Sequence, residues 1–105
     1  MAKKRISKKT LNVINYFTGR LKEAGVDVSY AVVFGSHQQG TAREDSDIDM
    51  ILVSKDFREK NISERARVVR AAYADTIARF MVPIDLVMET PEEFNPEFGV
   101  VVYAA

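Results

Sequence analysis

The sequence predicts an α+β domain, a small mixed β-sheet with helices packed on it. Three observations predict it: two long stretches with helical spacing, three short segments rich in β-branched and aromatic residues, and an order that interleaves them. The 105 residues, 47% of them hydrophobic and 29% charged, suit a single domain spanning 1–105 with a core of ordinary size.

From Ser7 onward Leu11, Ile14, Phe17, Leu21 and Ala24 recur at three- and four-residue steps, which predicts a helix with one apolar face. Gly25 supplies its stop. Val28 to Phe34 predicts a strand with Val28, Tyr30, Val32 and Phe34 on one face, ended sharply by Gly35-Ser36. Residues 37 to 46 are polar and predict a loop or short helical turn, and a second strand runs from about Asp47 to Val53. Asn61 with Glu64 has the form of a capping box, and Ile62, Ala66, Val69, Tyr73, Ile77 and Phe80 continue at helical spacing. Met81 to Met88 is strand-like, with Pro83 confined to its start or to an edge. Thr90-Pro91-Glu92-Glu93 predicts a cap that opens a short helix, and Phe98 to Tyr103 a last strand or a partner-facing strip.

Composition excludes several classes of function. Lys plus Arg is 15 and Asp plus Glu is 15, so the general basic surface of a non-specific nucleic-acid binder is missing. The absence of cysteine removes thiolate catalysis and cysteine-ligated zinc, and suits a reducing cytosol. No apolar run reaches the roughly 18 residues of a membrane span, and no signal-peptide segment follows the basic start. The expectation is a cytoplasmic, soluble chain. Charge is nevertheless uneven: Lys3, Lys4, Arg5, Lys8 and Lys9 open the chain, whereas Asp85, Glu89, Glu92, Glu93 and Glu97 follow Arg79 with no base among them. Such a pattern fits solvated ends or a complementary patch for a partner.

The chemistry concentrates between Val33 and Met50. Asp47 and Asp49 stand two apart at a strand start, and strand side chains alternate, so both carboxylates leave one face while Ile48, Met50 and Leu52 leave the other. Asp85 repeats the device between Ile84 and Leu86. If the second and third strands are neighbours, three carboxylates meet at one sheet edge, a set that suits Mg²⁺ or Mn²⁺. Solvated strand starts, caps or ion-paired edge residues are the structural alternatives. Gly35-Ser36 after a strand offers close backbone approach and N–H donors to phosphate oxygens, with Gly40 nearby. His37 fits either a solvated loop residue or a phosphate contact.

Gly35-Ser36, ten intervening residues and Asp47-Ile48-Asp49 resemble the Gly-Ser-x10-Asp-x-Asp signature of the DNA polymerase β-like nucleotidyltransferase superfamily. Gly40-Thr-Ala-Arg43, Ile84-Asp85-Leu86 and Gly99 to Tyr103 extend the resemblance over most of the chain. In length the chain is similar to the minimal nucleotidyltransferases, many of which are antitoxins paired with a HEPN-domain ribonuclease toxin. The resemblance implies a polymerase β palm-like fold and transfer of AMP from ATP, with pyrophosphate leaving. Asp47, Asp49 and Asp85 would be the catalytic, metal-holding residues for two Mg²⁺ ions, or Mn²⁺. Gly35 and Ser36 would grip the β- and γ-phosphates, with Gly40 and Arg43 completing the nucleotide site. One departure stands out: His37-Gln38-Gln39 occupy the place where the family often has an arginine before the second glycine, and Arg43 is the nearby cation.

The acceptor site is missing from this reading. Larger relatives carry a further domain for it, so the acceptor is expected on another chain, a HEPN toxin whose hydroxyl is adenylylated. Two alternatives stand beside it: an antitoxin that neutralises by docking alone through the apolar Phe98 to Tyr103 strip, and the catalytic subunit of a small-molecule nucleotidyltransferase. All three leave room for an oligomer.

Overall fold

The computed structural model describes residues 6–35 and 47–105. Ser36, His37, Gly40 and Arg43, and the basic residues 3–5, lie outside the described residues.

Helix α1 (Lys8–Glu23) starts where Ser7 accepts the Thr10 N–H at 3.0 Å, a serine N-cap. It ends at Gly25, whose φ of 83° lets Val26 N–H reach back to Leu21 O at 2.9 Å and satisfy a carbonyl of the last turn. The buried face is Val13, Ile14, Phe17 and Leu21 with Thr10 and Thr18. Leu11 and Ala24, expected on that face, sit at its margin and in solvent. Thr10 and Thr18 take the interior instead because their hydroxyls are bonded locally: Thr10 Oγ1 accepts from Ser7 Oγ at 2.9 Å, and Thr18 Oγ1 donates to Ile14 O at 3.0 Å.

Strand β1 (Tyr30–Phe34) is shorter than predicted. Val28 precedes it and is buried against the helices, not beside Val32 and Phe34. The alternation therefore starts only at Tyr30, where ladder pairing begins. Strand β2 (Ile48–Val53) leaves Asp47 one residue outside the ladder. A 3₁₀ turn (Lys55–Phe57) then buries Phe57 completely. Helix α2 (Ile62–Phe80) opens with the expected capping box, Asn61 and Glu64 exchanging bonds of 2.9 and 2.8 Å. Strands β3 (Ile84–Glu89) and β4 (Val100–Ala104) complete the sheet.

The sheet order is β3-β2-β1-β4. β1 runs antiparallel to both β2 and β4, whereas β2 and β3 are parallel. A parallel neighbour requires a crossover, and α2 is that crossover. The helices cover one sheet face around Phe17, Met50, Leu52 and Phe57. On the other face Val32, Ile51 and Val53 are roofed by Phe94, and Phe34 stacks at 5.1 Å on Phe98.

Thr90-Pro91-Glu92-Glu93 forms its cap, with Glu93 and Thr90 bonded reciprocally, but makes only one turn and not a helix. Pro96 explains this: its ring disfavours helical geometry at Asn95, so no second turn can follow. Nor are the acids of this segment merely solvated. Arg58 grips Glu92, and Arg65 donates to Glu93 at 2.7 Å and to Met88 O at 2.9 Å.

The Arg65 guanidinium and the Thr90 N–H hold the Glu93 carboxyl down at about 2, from 4.5. A depressed carboxyl stabilises the fold above its unfolded pKa and loses that contribution as pH falls through the folded one. Stability should therefore decline between about pH 4.5 and 2, and Glu93→Gln should flatten that part of an acid-melting profile while lowering the melting temperature at pH 7. Glu93 is half exposed, so the effect is screened and modest.

Candidate active site

The parallel register places Asp49 of β2 directly beside Asp85 of β3, and the antiparallel register places Phe34 of β1 beside Asp49 on its other side. One row thus crosses the sheet, Phe34–Asp49–Asp85, at the end where β1 leaves and β2 and β3 enter. Neighbouring strands are spaced by about 4.8 Å, so two carboxylates on adjacent strands in one row repel unless a positive charge joins them. Asp49 is half-buried, and Asp85 and Asp47 are exposed. Among the described residues no three carboxylates or imidazoles gather around one point: Asp49 and Asp85 are brought together, while Asp47 stands at the entry to β2.

Gly35 closes this row. Its φ is 72°, and a Cβ built on it would lie 2.5 Å from Asp49 Oδ2. The absence of a side chain therefore does two things, permitting the left-handed turn and leaving the space into which the Asp49 carboxylate projects. Gly99 plays a structural counterpart before β4, where a Cβ would meet Val32 Cγ1 and Val33 O at 2.7 Å.

The donor set fits a hard divalent cation. It is all carboxylate oxygen, drawn from adjacent strands, beside a glycine that keeps the surrounding space open. Asp49 and Asp85, with Asp47 at the rim, are the side chains able to hold one.

Sequence reasoning missed what lies next to the carboxylates. Along the same face, Ile51 and Val87 follow Asp49 and Asp85 at two-residue steps, and with Phe34, Phe98, Glu89 and Asn95 they line a groove of about 400 Å³. The signal was present in the alternation Asp49-Ile51-Val53 and Asp85-Val87-Glu89. At the far end of the groove the Glu89 carboxyl is raised, first by burial and then by Glu93.

Comparison with known proteins bears on this geometry. The family model described as "Polymerase beta, Nucleotidyltransferase" matches residues 14–98. A Methanocaldococcus jannaschii protein, MJ1305, whose name proposes a protein adenylyltransferase, is 28% identical over 85 residues. That match takes in 80% of this chain and 57% of the relative, so the chain spans little more than half the relative's length. Among solved structures, a Sulfolobus solfataricus protein described as a candidate nucleotidyltransferase superposes with a TM-score of 0.60 at 21% identity, covering 89% of this chain and 86% of its own. A toxin–antitoxin crystal structure with AMP-PNP superposes with a TM-score of 0.59 at 18% identity, covering 90% and 73%. These two likenesses speak to the fold. With the family model spanning most of the chain, over a sheet that sets Gly35, Asp49 and Asp85 at one end, the chain belongs to the polymerase β nucleotidyltransferase family.

Proposed function

We propose that this chain, acting as one domain in the cytoplasm, transfers AMP from ATP to a hydroxyl of a partner protein, and that the partner is a HEPN-type toxin which the modification silences. The observation that carries the reading is the side-by-side register of Asp49 and Asp85 with Gly35 turned against Asp49. The name of the archaeal relative supports protein as the acceptor, and the toxin–antitoxin likeness supports a toxin as the partner.

In this reaction an oxygen–phosphorus bond forms between the acceptor hydroxyl and the α-phosphorus, the bond to pyrophosphate breaks, and Asp85 takes the hydroxyl proton. Asp47, Asp49 and Asp85 would hold Mg²⁺, which when bound would supply charge neutralisation at the attacking and leaving oxygens. Gly35 with Ser36 grips the phosphates through backbone N–H groups, and Gly40 and Arg43 complete that site. Phosphoryl chemistry needs chiefly positioning and electrostatics, so a rim of carboxylates and backbone donors suffices.

The test incubates purified protein with α-labelled ATP, Mg²⁺ and host extract, resolved on a denaturing gel. A labelled protein band is expected with the wild type and none with Asp49→Asn. Label confined to small molecules would point to a small-molecule acceptor. A second reading, neutralisation by docking alone, draws on the exposed apolar Phe98, Val100 and Val101; it predicts that Asp49→Asn still neutralises the toxin.

A further inference from the structure

The free edge of β3 is not uniformly free. Pro83 O and Glu89 O accept from β2, at 2.9 Å from Ile48 N and 3.0 Å from Ser54 N. Strand alternation therefore turns the carbonyls of Ile84, Leu86 and Met88 outward. Two of these are covered by α2: Tyr73 OH donates to Ile84 O at 2.6 Å, and Arg65 Nη1 donates to Met88 O at 2.9 Å. Leu86 lies between them, and its N–H and C=O face outward.

That opening borders a groove of about 580 Å³ between α2 and β3, floored by Ala66, Val69, Leu86 and Met88 and ending at Asp85. Arg67 and Arg70, both exposed, stand on its α2 rim one helical turn apart. Neither forms an ion pair with another of the described residues, in contrast to Arg20, Arg58 and Arg65. Two arginines with no carboxylate partner among the described residues, above an apolar floor, are complementary to carboxylates, which guanidinium groups bind in a fixed planar geometry.

We propose that this groove docks a short, extended, acidic segment of a partner protein. The segment's backbone pairs with Leu86, and the side chains on its α2-facing side, which recur at every second residue, are aliphatic where they enter the floor and acidic where they meet Arg67 and Arg70. The capped carbonyls of Ile84 and Met88 limit the pairing to the stretch between them, which also guards the edge against open-ended strand addition. The chain's net charge of zero and the outward amide favour a peptide over a nucleic acid. The inference rests on the transfer reading for its purpose: a segment seated here brings its own chain to Asp85, where the acceptor hydroxyl is needed.

The test reads binding without reaction. Hexapeptides with Ser at every second position and, at the positions between, Leu or Val together with Glu, Gln or Lys, so that aliphatic and charged side chains leave one face, are arrayed and probed with the purified chain in the absence of ATP, beside a short oligo-dT. The Glu series should bind, with the Gln and Lys series weaker by about tenfold or more, the scale of one charge-assisted contact. Arg67→Glu with Arg70→Glu should abolish Glu binding and favour the Lys series, and circular dichroism should report an unchanged fold, since both side chains are exposed. Salt should weaken the wild-type interaction. No peptide binding, equal binding of Glu and Gln peptides, binding insensitive to the double substitution, oligo-dT bound in preference, or self-association that occludes the groove would each overturn the proposal. Asp49→Asn should dock the peptides unchanged, so loss of transfer with docking intact counts against neither inference, whereas docking by a wild type that transfers nothing fails the reaction reading alone.

Discussion

Asp49→Asn should reduce nucleotidyl transfer by at least about 10²-fold, the usual scale for removing one preorganised electrostatic partner of a charged transition state. The fold should survive the change. Asn keeps the size and the rotamers of Asp and can occupy the same place beside Asp85. Thermal melting should show a cooperative transition for the variant, while added Mg²⁺ should raise the melting temperature of the wild type more than that of the variant. A variant that melts normally and still transfers label would remove Asp49 from the chemistry.

Gly35→Ala should be nearly as damaging by a different route. The backbone must stay at a φ of 72°, which costs about 1–2 kcal/mol for a residue with a side chain. The added methyl would also lie 2.5 Å from Asp49 Oδ2, so the carboxylate must move, and displacements near 1 Å at a reacting centre cost about 10²-fold in rate. Gly25→Ala separates the two effects. Gly25 has a φ of 83° but no atom within 4 Å of its absent Cβ, so its replacement should lower stability by a similar amount and leave transfer unchanged. If both variants lost activity equally, backbone strain and not the approach to Asp49 would be the cause.

Local chemistry was legible in the sequence. The Asn61–Glu64 capping box and the Gly25 stop involve groups within a few residues of one another, so the residue types alone predict the bonds that form. The alternation Asp49-Met50-Ile51-Leu52 likewise predicts which side chains share a face. Where neighbours compete, local reading faltered. The cap at Thr90 formed, but Pro96 allowed no helix beyond its turn, and Val28 had the composition of a strand residue although pairing begins only at Tyr30.

By itself the sequence determined the two long helices and the strands, the centre of their apolar faces and the carboxylate and glycine pattern that resembles nucleotidyltransferases, because these depend on periodicity and on groups close along the chain. Only the tertiary structure decided that β3 lies parallel to β2 and not beside β1, and hence that Asp85 stands beside Asp49 across 36 positions of sequence. It alone turned Gly35 against that carboxylate, opened the apolar groove next to it and capped two carbonyls of the β3 edge from α2. Strand neighbours are chosen by the burial of whole faces and by the crossover that α2 makes, a balance summed over the entire core that no local run of residues encodes.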